Sequence, residues 1–208
     1  MEAVPSPETA PAYEAIGLLE LGSIAWGVDV ADAMVKAAPV DFIDTFMVTP
    51  GKYVVLVHGD PSSVESSISA GRQAAPEQVL DWLLIPYVHA QVFAAIRLRS
   101  RCQRVRALGL IETSSVATGI VAADQAAKAA NVDLLQLRLA RGIGGKSLLV
   151  LTGELFEVEA SVEAGQREAE AGKKLVATRI IPNPHPDLAA RVLRAARGED
   201  AEERGARP

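Results

Sequence analysis

The chain has 208 residues, of which 49% are hydrophobic, 23% are charged and only 4% are aromatic, a composition typical of a soluble globular protein with aliphatic cores. The formal net charge of −5 gives no support for a nucleic-acid partner, and the single cysteine, Cys102, excludes an intramolecular disulfide. Because the sequence has no signal-peptide pattern and no apolar run near the roughly 18 residues of a membrane span, we expect a cytoplasmic protein without a membrane partner.

The first predicted elements follow a proline-rich segment, residues 1–14, which has no periodic apolar pattern and is expected to be a flexible arm. A short apolar run at 15–20 indicates a strand, and a helix follows it. Residues 40–48 and 52–58 predict two strands, joined as a hairpin by the turn at 49–51. The apolar stripe expected on the helix has spacings of three and four residues and comprises Ile24, Val28, Ala31, Val35 and Ala38.

A second helix is predicted to begin at Asp60, since aspartate is a favoured N-cap and Pro61 is a favoured first helical residue. A strand at 79–85 and a closing helix at 86–96 then complete the order β-α-β-β-α-β-α. The buried side of the second helix is expected to include Val64 and Ile68.

The same order of elements is written twice. At a fixed offset of 92, residues 15–41 and 107–133 are identical at 14 of 27 positions. Insertions in the second copy shift the later matches, so that Gly51-Lys52 aligns with Gly145-Lys146 and His89 with His185. A period near ninety residues is too long for a solenoid unit of roughly 20–50 residues. We therefore predict two tandem α+β domains, residues 15–96 and 107–196.

The segment between the domains, residues 97–106, contains five arginines in ten residues. Such a run is most often a solvated connector, and a docking patch for an acidic partner is the alternative. Residues 197–208 are polar and charged and are expected to be a disordered tail.

The stretch 140–147, Ala-Arg-Gly-Ile-Gly-Gly-Lys-Ser, differs from the phosphate-binding loop G-x-x-x-x-G-K-[ST] only at its first glycine. That loop needs a following helix whose N-terminus binds phosphate, whereas the residues after Ser147 predict a strand. We therefore interpret the stretch as a glycine-rich hairpin tip and not as a nucleotide site.

No residues combine into a recognisable active site or metal centre. His58, His89 and His185 are not spaced with cysteines or carboxylates as metal ligands are, and no Gly-x-Ser-x-Gly elbow occurs. His89 and His185 hold equivalent places just after Ile-Pro, which favours a structural role at a helix start. Cys102 lies in the connector, where a lone thiol is more often incidental than nucleophilic. The sequence therefore predicts a protein that is not an enzyme.

Five short motifs stand out, of which the Gly-Lys hairpin and Gly59-Asp60 belong to the turns and helix starts described above, and the others are Ala-Ile-Gly-Leu-Leu-Glu20, Asp32-x-x-x-Lys36-Ala-Ala and Ile181-Pro-Asn-Pro-His185. As a set they resemble the bacterial microcompartment domain, and two copies in one chain resemble the tandem-domain shell proteins of that family, including those of propanediol-utilisation compartments. The similarity covers about residues 15–196. It implies a ferredoxin-like βαββαβα sandwich in each domain and a pseudohexameric homotrimer. It also implies that such tiles join the hexameric and pentameric tiles of other shell proteins around encapsulated enzymes.

The resemblance also implies functional positions. In the family, the hairpin turn after the second strand of each domain points to a central pore for small metabolites. A lysine of the first helix and the Ile-Pro-x-Pro-His segment lie at the edge between tiles. The implied pore residues are Thr49, Pro50, Gly51, Arg141, Gly142, Ile143, Gly144 and Gly145. The implied edge residues are Lys36, Lys128, Asn183 and His185.

The chain departs from the family pattern at two places. Some tandem-domain members have a cysteine at the position of Thr49, where three copies hold an iron–sulfur cluster at the pore. These clusters are held by thiolates, and a threonine hydroxyl is a poor replacement, so we expect no cofactor. Many members have an arginine between the two prolines before His185, where this chain has Asn183, and the lateral contacts between tiles are expected to differ accordingly.

Two questions stay open at the level of sequence. Duplicated βαββαβ units also occur in cytosolic ligand-binding and regulatory proteins, which are the alternative to a shell protein. A role in electron transfer at the pore is disfavoured, because the cysteine that it requires is replaced by Thr49.

The second question is the ion preference of the pore. In a trimer, three Arg141 guanidiniums alternating with three Thr49 hydroxyls predict a pore that prefers anions. The alternative is that Arg141 turns away and pairs with Asp44 or Glu154, which leaves the opening nearly neutral.

Overall fold

The structure is a computed structural model that describes residues 14–199. These residues form two compact units, each with a four-stranded sheet and helices. The first unit comprises residues 14–46 and 52–88, and the second comprises residues 47–51 and 89–199. The predicted α+β fold with two related domains is confirmed. Most of the expected arm and tail, residues 1–13 and 200–208, lies outside the described residues.

The two units repeat one order of elements. The first repeat consists of β1 (Ala15–Leu21), α1 (Ile24–Ala37), β2 (Asp41–Val48), β3 (Lys52–Gly59), α2 (Pro61–Ala74), β4 (Val79–Ile85) and α3 (Ala90–Ile96). The second consists of β5 (Ala107–Thr113), α4 (Val116–Ala129), β6 (Asp133–Leu139), β7 (Ser147–Gly153), α5 (Leu155–Ala171), β8 (Leu175–Ile181) and α6 (Pro186–Ala196). Helix α3 closes the first repeat at Ile96 but packs within the second unit, whose continuous part begins at His89.

The two sheets have the same strand order, β2-β3-β1-β4 in the first and β6-β7-β5-β8 in the second. The inner strands β1 and β5 pair antiparallel with both of their neighbours. Their registers are equivalent, because Ala15 lies opposite Gly59 and Ala107 lies opposite Gly153. Every residue of β1 is buried, which explains why its sequence is apolar except for Glu20. Strands β2 and β6 are outer strands, each with one unpaired edge in its sheet.

Small residues let the helices approach these sheets closely. A Cβ atom placed on Gly17 would lie 2.7 Å from a side-chain carbon of Ile68, and one placed on Gly109 would lie 2.7 Å from Val162. Real Cβ atoms essentially never make contacts under 3.0 Å. These two equivalent glycines therefore permit the close packing of α2 and α5 on their sheets. Two further equivalent pairs with the same restriction are Gly27 with Gly119, and Gly71 with Gly165.

The helix start predicted at Asp60 and Pro61 is confirmed. Asp60 Oδ1 accepts hydrogen bonds from the backbone N–H groups of Ser62 at 3.1 Å and Ser63 at 3.0 Å. The hydrogen bonds from Ser63, and then those from Ser62, lower the pKa of Asp60 to about 2. His89 and His185 are the N-caps of α3 and α6, and each Nδ1 accepts from the backbone N–H two residues further on, at 3.4 and 3.3 Å. The structural role predicted for these two histidines is thus observed.

Two details of the sequence prediction were wrong. The stripe expected on α1 is only partly buried. Ala31 is buried, but Ile24 and Val28 are exposed while Gly27 and Met34 face the interior. This helix is apolar on two adjacent faces, and the close approach at Gly27 decides which face meets the sheet. Helix α3 begins at Ala90 and not at residue 86, since the N-cap is His89.

Candidate pore turns and edge contacts

The turn between β2 and β3 is short and exposed. Thr49, Pro50 and Gly51 lie at the surface, and the N–H of Gly51 donates to the carbonyl of Val48 at 2.8 Å. The Thr49–Pro50 peptide bond is cis, and Gly51 has a φ of 108°, which side chains with a Cβ rarely permit. A Cβ on Gly51 would meet nothing within 4 Å, so this turn presents its backbone to open space.

The turn between β6 and β7 is longer and is held by its own backbone. The N–H of Ala140 donates to the carbonyl of Lys146 at 2.8 Å, and the N–H of Ile143 donates to that of Ala140 at 3.2 Å. Strand β7 begins at Ser147, so the prediction of a hairpin tip, and not a phosphate-binding loop, is confirmed. The turn depends on glycines with positive φ, which are Gly142 at 72°, Gly144 at 65° and Gly145 at 81°.

The two turns lie against each other within the second unit. A Cβ on Gly145 would lie 3.6 Å from Val48 Cγ1 and 3.8 Å from the carbonyl oxygen of Thr49. The fold therefore brings together the two segments predicted to line a pore, although they come from different repeats.

An ion pair between lysine and glutamate lies at the base of each turn. Lys52 Nζ is 3.7 Å from Glu20 Oε2, and Lys146 Nζ is 2.8 Å from Glu112 Oε1. Each pair ties the end of a turn to the inner strand of its sheet. Glu20 is buried and Glu112 is partly exposed, so the first pair is the better shielded from solvent. Sequence reasoning missed these pairs, although both residues are identical in the two repeats.

Arg141 is exposed at the tip of the longer turn. Glu154, one of the two carboxylates that could pair with Arg141, has another role. Glu154 Oε1 accepts a hydrogen bond from Arg106 Nη1 at 2.6 Å, and the Glu154 side chain also forms a capping box with Glu157 at the start of α5. Glu154 therefore stabilises the start of that helix.

The two candidate edge lysines have different surroundings. Lys36 Nζ bonds Asp32, whose side chain is 55% exposed, and this hydrogen bond raises the pKa of Lys36. Lys128 Nζ is 2.6 Å from Asp124 Oδ2, but the Asp124 side chain is only 2% exposed. Lys36 thus belongs to a surface pair, whereas Lys128 compensates a buried carboxylate.

The other candidate edge residues lie elsewhere in the second unit. Asn183 and His185 are exposed in the segment between β8 and α6, where His185 is the N-cap. The lysines, by contrast, lie in the last turns of α1 and α4. The structure therefore gathers the candidate pore residues but places the candidate edge residues on separate elements.

The described residues offer little redox or metal chemistry. Cys102 Sγ donates to the carbonyl of Arg104 at 3.2 Å, and burial raises the pKa of this thiol, which keeps it protonated at neutral pH. Between Glu14 and Glu199, no group of three or more His, Cys, Asp or Glu side chains could hold a metal ion. The donor set at the first turn does not fit an iron–sulfur cluster, since Thr49 presents a hydroxyl and no thiolate. In the same part of the chain, no helix is long and apolar enough to cross a membrane.

The duplicated βαββαβα fold with paired hairpin turns defines a known class of protein. The model of the BMC domain matches residues 15–88 and again residues 107–184, and the chain belongs to the BMC-domain family. It is 38% identical over 175 residues to the bacterial microcompartment shell protein PduT of Citrobacter freundii, covering 84% of this chain and 95% of the relative. It is 29% identical over 196 residues to the carboxysome assembly protein CcmO of Synechococcus elongatus, covering 86% and 70%.

Solved structures agree with this family. A microcompartment protein of Desulfitobacterium hafniense superposes with a TM-score of 0.80 at 49% identity, covering 85% of this chain and 98% of that one. A fused permuted hexameric shell protein of the RMM microcompartment superposes with a TM-score of 0.60 at 19% identity, covering 79% and 88%. The second similarity supports the fold alone.

Proposed function

We propose that this chain is a structural shell protein of a bacterial microcompartment, and that three copies form a pseudohexameric tile around a central pore. The observation that carries the proposal is the occurrence of two BMC domains in one chain with their hairpin turns side by side. Two similar but unequal domains complete a six-fold-like ring only through three-fold symmetry. The similarity to PduT over 95% of its length supports the role as a shell tile.

The tile is proposed to act by assembly and not by catalysis. Its partners are further copies of itself, the hexameric and pentameric tiles of other shell proteins and the enzymes that the shell encloses. The shell itself lies in the cytoplasm. The relatives support this, since PduT is a shell protein and CcmO is a carboxysome assembly protein. They do not favour the alternative of a ligand-binding or regulatory protein.

The mass of the protein in solution tests the trimer. Multi-angle light scattering at micromolar concentration is expected to give three times the 22.0 kDa mass of the chain. A monomer or a dimer under these conditions would contradict the proposed tile.

The pore is proposed to favour anions. Arg141 is exposed at the tip of the second turn, and its guanidinium stays charged throughout the physiological pH range. Gly142 and Gly144 have open space where a Cβ would lie, so side chains do not cover the backbone N–H groups there. Three such turns in one narrow opening bring guanidiniums and backbone N–H groups together, which raises the local concentration of anions and repels cations. The alternative is that Arg141 pairs with Asp44, which leaves the opening nearly neutral.

Replacement of Arg141 by Ala tests this preference. In planar-bilayer conductance measurements, Arg141→Ala is expected to lower the anion-to-cation permeability ratio, because three fixed charges are removed from the opening. Lys173→Ala is a suitable control, because Lys173 is an exposed residue outside both turns. An unchanged ratio in the Arg141 variant would show that this residue does not select the permeant ion.

The tile is also proposed to hold no iron–sulfur cluster. The position that would supply thiolates is Thr49, and the single cysteine, Cys102, hydrogen-bonds within the connector. Protein purified without oxygen is expected to contain no stoichiometric iron or sulfide. Thr49→Cys is the matched variant, since it places one thiol in each of the three turns. Stoichiometric iron and sulfide in the unaltered protein would contradict the proposal.

A further inference from the structure

Helix α3 covers the open edge of β6 within the second unit. Gln91 Nε2 donates to the carbonyl of Val132 at 2.9 Å, and the N–H of Leu134 donates to Gln91 Oε1 at 2.7 Å. One side-chain amide thus satisfies the carbonyl just before an outer strand and an N–H within it. The exposed edge of such a strand is otherwise a template for pairing with other chains.

The start of α3 is also tied to α4. The backbone N–H of His89 donates to Asp124 Oδ1 at 2.8 Å, while Lys128 binds the other oxygen of this carboxylate. Helix α3 contacts β6 and α4, and Val92 on this helix is fully buried. We call the surface formed by α4 and β6 under this helix the α3 seat.

The first repeat contains the same surface without an occupant. At the offset of 92, Val28, Asp32 and Phe42 of α1 and β2 correspond to Ile120, Asp124 and Leu134 of the α3 seat. All three are exposed, whereas their counterparts are buried. The exposed fractions are 56% for Val28 against 0% for Ile120, 55% for the Asp32 side chain against 2% for Asp124, and 44% for Phe42 against 2% for Leu134.

The second repeat contains the matching helix. The alignment of His89 with His185 places Asp187 at the position of Gln91 and Leu188 at the position of Val92. Leu188 is 41% exposed, whereas Val92 is fully buried. Each chain therefore has one exposed helix start, at α6, and one exposed seat, on α1 and β2. The two repeats predict that these surfaces fit each other.

We propose that the start of α6 of one chain docks on α1 and β2 of a second copy of this chain and repeats there the contacts that α3 makes with its seat. This inference rests on the proposed trimer and names the surfaces that join its chains. A helix on one side and a seat on the other make the contact head-to-tail, and such contacts close into a ring when the rotation fits.

The chemistry of the contact follows from the α3 seat. The N–H of His185 donates to Asp32 Oδ1, while Lys36 binds the other oxygen, Oδ2. The carboxylate of Asp187 accepts from the N–H of Phe42, and Leu188 packs between Val28 and Phe42.

The contact between chains differs from the one within the chain in one respect. Gln91 both donates and accepts, whereas the carboxylate of Asp187 only accepts. The carbonyl of Val40, which corresponds to that of Val132, therefore receives no hydrogen bond from Asp187. The contact between chains therefore has one hydrogen bond fewer than the contact that α3 makes within the chain. Asp187→Gln should supply that hydrogen bond and strengthen the trimer.

Complementation between two blocked chains tests the proposal. Leu188→Glu places a charge on the helix side, and Phe42→Glu places one on the seat, and each variant alone is expected to be monomeric by light scattering. Mixed in equal amounts, the two variants are expected to form a dimer, because the intact α6 of the Phe42 variant meets the intact seat of the Leu188 variant. Phe156→Glu is the control, since Phe156 is 68% exposed on α5 outside both surfaces and its variant should stay trimeric.

The outcomes separate this proposal from the trimer itself. If the unaltered chain is trimeric but both blocked variants remain trimeric, the contact is wrong and the trimer stands. If both are monomeric and the mixture contains no dimer, the head-to-tail pairing is wrong. If the unaltered chain is not a trimer, the proposed tile fails first. Asp187→Gln is an independent test, because this exposed substitution should leave the fold of the chain intact. It should lower the concentration at which trimers dissociate by about tenfold. An unchanged or higher concentration would overturn the assigned hydrogen bond.

Discussion

Lys36→Ala is expected to abolish extended sheets of tiles while leaving the fold of the single chain intact. Lys36 and Asp32 form a surface pair whose contribution to folding the single chain is small, while the lysine also stands at the implied edge between tiles. Trimers should still form at micromolar concentration, but they should dissociate at a higher concentration than trimers of the unaltered chain, because Lys36 neutralises the Asp32 carboxylate that the proposed α6 contact covers. Electron micrographs of sheets formed by unaltered and variant protein, under the same conditions, measure the effect.

Lys128→Ala is the matched comparison and should behave differently. Lys128 compensates the buried Asp124, so its removal is expected to lower the free energy of unfolding by about 1–3 kcal/mol, whatever its effect on sheets. Normal sheets from Lys36→Ala would reject the edge role of this lysine. Complete loss of the trimer at micromolar concentration in that variant would show that Lys36 acts mainly between the chains of one tile.

Gly165→Ala is expected to destabilise the fold strongly. A Cβ at this position would lie 2.5 Å from Ile111 Cδ1 and 2.8 Å from the backbone carbonyl oxygen of Ala122. The carbonyl belongs to α4 and cannot move away without shifting the helix, so the overpacking should cost about 1–3 kcal/mol. Most of this range exceeds the gain of about 1 kcal/mol that alanine brings in a helix, so the net effect is destabilising.

Gly71→Ala, the equivalent change in the first repeat, is the control. There the nearest atoms are Leu19 Cδ1 at 2.6 Å and Met34 Cγ at 2.7 Å, which lie on flexible side chains. Thermal unfolding at one protein concentration should therefore show a clearly larger fall in Tm for Gly165→Ala than for Gly71→Ala. Equal shifts would show that the backbone of α4 yields as easily as a side chain.

The sequence predicted much of the fold because its strongest signals are local. Asp60 and Pro61 define the start of α2 by hydrogen-bonding chemistry, and His89 and His185 mark helix starts by their shared position. The duplication added what single elements could not, since each repeat confirms the order of the other.

The features that the sequence did not predict depend on contacts between distant residues. The buried face of α1 was assigned wrongly because spacing alone cannot distinguish two adjacent apolar faces, and the close contact of Gly27 with Tyr53 decides between them. The ion pairs below the turns join residues more than thirty positions apart, such as Glu112 and Lys146. The placement of α3 in the second unit is likewise a long-range property, carried by Gln91.

The same limit applies to the candidate site. Glycines in the longer turn and the exposed position of Arg141 follow from the sequence pattern of a hairpin tip. That the two turns touch through Gly145 and Val48 does not, because no local pattern joins segments from different repeats.

Single-particle electron microscopy of the purified full-length protein tests the central claim most directly. The account predicts a flat, roughly hexagonal particle of three chains around one opening, lined alternately by the turn after β2 and the turn after β6. A compact monomer, or a ring whose opening is lined by other segments while both turns lie at its periphery, would contradict it.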